Sequence, residues 1–127
     1  MVPTISIRSL HLEYELWIRE IAFYKEEICL FENHLEGLAS QNSDPSRSVQ
    51  IEHFQNQFIL QKEVIDYLKH DLHVSEKQLA AFAHELSYTG LESIRMDNHT
   101  QLRERVITFR NIYGDLKKEF REFESRC

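Results

Sequence analysis

The sequence predicts an all-α protein, an elongated antiparallel three-helix bundle with coiled-coil-like heptad packing. Three observations carry this. The chain has only 3 glycines and 2 prolines in 127 residues, whereas an all-β chain needs many turn residues. It is 42% hydrophobic and 28% charged, the balance of long amphipathic helices. Its large apolar residues recur in three long 3-and-4 seams, the signature of helices packed along a common axis.

The first seam is Leu10, Tyr14, Trp17, Ile21, Tyr24, Ile28, Phe31, Leu35 and Leu38. It predicts a helix over about 6–39, with Gly37 as a C-terminal cap. "SQNSDPSRS" follows as the clear loop. Ser43 or Asp44 is suited to cap the next helix, and Pro45 to its first position, where no N–H is needed. The second seam is Ile51, Phe54, Phe58, Gln61, Ile65, Leu68, Leu72, Ser75, Leu79, Phe82 and Leu86. It predicts a helix over about 45–87, ending before Gly90. The third is His99, Leu102, Val106, Phe109, Tyr113, Leu116, Phe120, Phe123 and Cys127. It predicts a helix over about 97–126, capped by Asp97 or Asn98. Between the last two, a turn in Ser87–Met96 would let Leu91 and Ile94 cover the end of the core. The whole chain, 1–127, reads as a single helical domain.

The short first loop makes helices 1 and 2 antiparallel, so the third helix returns parallel to the first. With Ser40 level with Pro45, Trp17 faces Leu68, Ile28 faces Phe58 and Phe31 faces Phe54, give or take one turn. Glu13, Glu20 and Glu27 stand at g positions of helix 1. Arg103, Arg110 and Lys117 stand at e positions of helix 3. Parallel neighbours pair g with e, so these charges are expected to meet.

Charge and cysteine content narrow the function. Net charge is −6, and residues 1–40, 41–96 and 97–127 carry 3, 5 and 7 basic against 7, 8 and 6 acidic residues. No part has the basic footprint of a nucleic-acid binder. No apolar run approaches the ~20 residues that span a bilayer, and no leader pattern opens the chain. A cytoplasmic protein with no membrane partner is expected. Cys29 and Cys127 make no disulfide framework. The level rule sets Cys127 near Ile28, in reach of Cys29, though two free thiols is the simpler reading.

No catalytic signature is present. Gly-x-Ser-x-Gly, Cys-x-x-Cys, His-Glu-x-x-His and a glycine-rich phosphate loop are all missing, so no enzyme and no cofactor are expected. "DYLKHDLH" places Asp66, His70 and His73 on one helix face. They are weak metal candidates, since b and f positions usually form a solvated face. A metal-binding bundle using His and carboxylate side chains is the alternative function. Gln61 and Ser75 interrupt the second seam. Buried polar groups need partners, and Tyr14, Tyr24 and Tyr113 on facing seams could supply them. Such groups fix register, or they line a polar pocket.

A second apolar row lies outside the seams. Leu16, Phe23 and Leu30 stand at c positions of helix 1, and Leu60, Tyr67 and Val74 at c positions of helix 2. Helix 3 has Gln101, Thr108 and Asp115 there. Either the rows widen the core stripe, or the face of helices 1 and 2 covers a second copy or a partner helix. The second reading makes the protein a non-catalytic scaffold or interaction module, with a homodimer as the default assembly.

"EHFQNQFILQKEVIDYLKHD" and "ELWIREIAFYKEEI" resemble stretches of small all-helical bacterial proteins of unknown function, and that resemblance implies no activity. A tryptophan midway along the first of three helices is similar to spectrin-type repeats by analogy only.

Overall fold

A computed structural model describes residues 4–86, 93–95 and 99–127. Three helices dominate it: α1 (Ile7–Gln41), α2 (Pro45–Leu86) and α3 (Thr100–Ser125). The longest, α2, has 42 residues, about 63 Å at 1.5 Å per residue. Two three-residue strands, β1 (Thr4–Ser6) and β2 (Ser93–Arg95), pair antiparallel with Ile5 opposite Ile94. This small ladder was not anticipated. It ties the start of α1 to the segment that leads into α3.

Local chemistry sets the helix ends. Ser6 caps α1, its hydroxyl accepting from the Ser9 N–H at 3.1 Å. The helix does not stop at Gly37. Leu38 and Ala39 still pack on the core, so α1 runs on until Asn42 turns extended. Asn42 then organises the loop: its Nδ2 donates to the Asp44 carbonyl at 3.0 Å and to Ser48 Oγ at 2.8 Å. Asp44 caps α2, with its carboxylate accepting from the Ser46 N–H at 3.0 Å and the Ser46 hydroxyl at 2.9 Å. Pro45 occupies the first helical position, as its missing N–H favours. At α3, His99 holds the N-cap position. The expected caps Asp97 and Asn98, Leu91 and the Ile94 side chain lie outside what is described.

The seams become the core. Leu10, Tyr14, Ile21, Ile28, Leu35, Phe58, Ile65, Leu72, Val106 and Phe120 are fully enclosed. An aromatic cluster joins all three helices: Phe120 of α3 lies 5.1 Å from Phe58 and 5.2 Å from Phe31. Phe54 meets Phe123 at 5.1 Å. Among the described side chains of the second seam Leu79 is the last that is buried, and Phe82 is 43% exposed.

Helix α1 pairs with α2 about one turn from the simple level rule. Phe31 stacks on Phe58 at 5.9 Å rather than facing Phe54. The Asn42–Ser48 bond explains this: it sets the end of α1 level with the second turn of α2, so the first turn of α2 stands beyond α1.

Helices α1 and α3 are held parallel by charge. Glu13 receives both Arg103 Nε at 2.8 Å and Nη2 at 2.7 Å. Glu20 receives Arg110 at 2.6 and 2.8 Å, and Glu27 receives Lys117 at 2.7 Å. A fourth rung, the hydrogen bond between His34 and Glu124 at 3.1 Å, places the carboxylate on α3 instead. Each pair is separated by 90 residues, so one constant register runs along the interface. Partly exposed pairs contribute about 0–1 kcal/mol each, so the ladder fixes orientation more than stability.

The ladder also makes stability pH-dependent. Hydrogen bonding from Arg110 holds the Glu20 carboxyl below its ordinary 4.5, against the opposing effect of burial. A carboxyl lowered in the fold stabilises it above the unfolded value, and that contribution disappears as pH falls through the folded value. Arg110→Gln is therefore expected to lower unfolding free energy at pH 7. The deficit should begin to shrink as pH falls below the ordinary 4.5 and vanish once the folded-state carboxyl is protonated, read from urea melts at several pH values. A deficit that stayed constant into acid would remove Glu20 from the explanation.

Candidate functional site

Tyr14, fully enclosed, hydrogen-bonds His99 across α1 and α3. Ser75 of α2 stands close enough to act on the same hydroxyl. Burial pushes the Tyr14 hydroxyl up to about 12, outweighing the lowering effect of Ser75. Tyr24 donates to Glu20 at 2.6 Å and Tyr113 to Glu27 at 2.9 Å. Burial and these carboxylates raise both phenols. A neutral phenol tied to a carboxylate already engaged by Arg or Lys is a structural arrangement, not a poised base. Tyr14 thus joins α1 to the start of α3 with Ser75 of α2 near by, while Gln61 lines a different place. It borders an open groove of about 550 Å³ between α2 and α3, with Val64, Leu68, Phe109 and Ile112.

The metal candidates do not converge. Asp66 accepts from Lys25 at 2.7 Å, and His70 and His73 are exposed. Among the described residues no group of three or more His, Cys, Asp and Glu side chains is placed to hold a metal ion. Cys29 and Cys127 are both free and exposed. The 90-residue register sets Cys127 level with Gly37, two turns from Cys29, so the thiols do not meet.

What stands out is apolar and exposed. Leu16, Phe23 and Leu30 are 57%, 55% and 61% exposed, and Leu60, Tyr67 and Val74 are 48%, 72% and 39% exposed. The core closes without them. Within this chain they are not core-stripe residues.

The structure does not bring the two rows together. Around a helix the heptad positions follow the order a, e, b, f, c, g, d, so c stands beside g. The g residues Glu13, Glu20 and Glu27 of α1 all meet α3. The g residue Asp71 of α2 also meets α3, at Arg105, 2.9 Å away. The side shared by α1 and α2 is instead bridged by Lys25–Asp66 and Lys62–Glu32, from e and b positions. Each c row therefore flanks α3, one on either side, and the two point away from each other. One partner surface cannot cover both rows of a protomer.

Each flank has its own character. Beside Leu16, Phe23 and Leu30 come the b positions of α3: Ile107, Gly114 and Arg121. These stand next to the e residues that bind α1. The constant register puts Gly114 level with Tyr24, next to Phe23. Ile107 is 44% exposed. Beside Leu60, Tyr67 and Val74 come the polar Gln101, Thr108 and Asp115. Sequence reasoning missed the separation, although the g-position charges were the signal for it. It also missed Ile107 and Gly114, which gain meaning only from the α1–α3 register.

No family model, curated protein or solved structure matches this chain. Of the resemblance noted in the sequence, the all-helical, three-helix character is what stands. No described helix is long and apolar enough to cross a membrane.

Proposed function

We propose that this chain is a non-catalytic protein-interaction module, a helical scaffold that associates with itself. One observation carries the reading. Six large apolar side chains at heptad spacing remain exposed on a bundle whose core is already closed. Single exposed apolar residues are ordinary, but contiguous rows mark interaction sites. Identical chains supply a partner at no cost in recognition, and closed homodimers are the commonest assemblies.

The polar chemistry points the same way. Tyr24, Tyr113, Glu13, Glu20, Glu27, Arg103, Arg110 and Lys117 are engaged in contacts that orient helices. The test is the double variant Phe23→Glu with Tyr67→Glu. Helix content by circular dichroism should stay that of the unaltered protein, while self-association by light scattering should be lost. Loss of helix content would return these residues to the intramolecular core and sink the proposal.

A further inference from the structure

We propose that the α1–α3 flank docks a second copy of this chain, antiparallel, about a two-fold axis at Phe23. This rests on the self-association reading and names its surface and geometry.

The α1 row is symmetric about Phe23. Leu16 and Leu30 stand seven residues to either side. Turning one copy over about an axis through Phe23 lays Leu16 on the partner's Leu30 and Phe23 on the partner's Phe23. A closed two-fold interface needs such self-complementarity, because the same patch serves both sides.

The neighbouring f positions supply charges with the same symmetry. Arg19 precedes Phe23 by four residues and Glu26 follows it by three. Across the axis Arg19 therefore meets the partner's Glu26 within one residue, about 1.5 Å of helix rise. The symmetric pair forms as well, giving two attractive contacts on one edge. Both side chains are exposed, and among the described residues neither is engaged in an ion pair within the protomer.

Gly114 gives an independent reason. A glycine inside a helix costs about 1 kcal/mol relative to alanine. Nothing within this protomer lies within 4 Å of where its Cβ would be, so no internal contact requires it. Its level beside Phe23 sets it close to the proposed axis, where two α3 helices come nearest. A missing side chain lets backbones approach there.

The α2 row has the same spacing about Tyr67, but it lacks the glycine and the Arg–Glu pair: across an axis at Tyr67 the matching f residues are Glu63 and His70. Its α3 side mixes the polar Gln101, Thr108 and Asp115 with the half-exposed Ile112.

The test is a charge exchange, with molar mass read by light scattering. Arg19→Glu alone and Glu26→Arg alone each replace two attractive contacts with two repulsive ones. Each should raise the dimer dissociation constant at least about tenfold, with circular dichroism unchanged. An equimolar mixture should recover the dimer mass, because every mixed pair is again complementary. The doubly exchanged variant should also recover it alone. Singles that dimerise like the parent, or a mixture that stays monomeric, overturn the arrangement while self-association stands. A monomeric parent protein overturns both.

Discussion

Phe58→Ala is expected to lower the unfolding free energy by about 3–5 kcal/mol, the usual cost of emptying a large aromatic site. Phe58 is fully enclosed, with ring centroids of Phe31, Phe54 and Phe120 at 5.9, 6.3 and 5.1 Å. Those neighbours come from all three helices. The lost ring therefore leaves a void that no single helix can close by shifting toward another. Against a total stability of roughly 5–15 kcal/mol for a domain of ordinary size, this is a large share. Denaturant melts measure it directly. A cost below about 1 kcal/mol would mean that the aromatic cluster is not the packed centre of the bundle.

Phe23→Glu alone is expected to abolish the dimer, whereas Tyr67→Glu alone should leave it intact. The two rows lie on opposite sides of α3, so the substitutions are independent probes of two surfaces. At the proposed axis the new carboxylate meets its own copy, and the single aromatic pair there is lost. Central interface residues of this kind carry at least about 2 kcal/mol, roughly thirtyfold in Kd. Both variants should keep the helix content, because both side chains are more than half exposed. Light scattering separates the cases. Loss of the dimer with Tyr67→Glu and its survival with Phe23→Glu would move the interface to the α2 flank.

The sequence made the core legible because burial in a bundle follows from local spacing. Leu10 to Leu38, Ile51 to Leu79 and Leu102 to Phe123 obey the 3-and-4 beat, and packing follows that beat. The g–e rungs were legible for the same reason, once the short loop had fixed helix direction. The one-turn register difference between α1 and α2 was not, because the side chain of Asn42 decides it by bonding Ser48. Gly37 looked like a cap, but Leu38 and Ala39 had core to bury, and burial outweighed the local stop signal. The β1–β2 pairing had no signal, since three residues are too few to show alternation. At the candidate surface, the six apolar residues were visible from spacing alone. Their division between two flanks was not, because it depends on which neighbour each g position meets. That information needs all three helices at once: Glu20 with Arg110 on one side, Asp71 with Arg105 on the other.

The measurement that decides most is the molar mass of the unaltered protein in solution, by light scattering on size exclusion over a dilution series. A mass near twice 15.2 kDa, falling toward the single-chain value on dilution, is the expected result. A mass of 15.2 kDa at every concentration would contradict self-association and leave the Phe23 row without its proposed occupant.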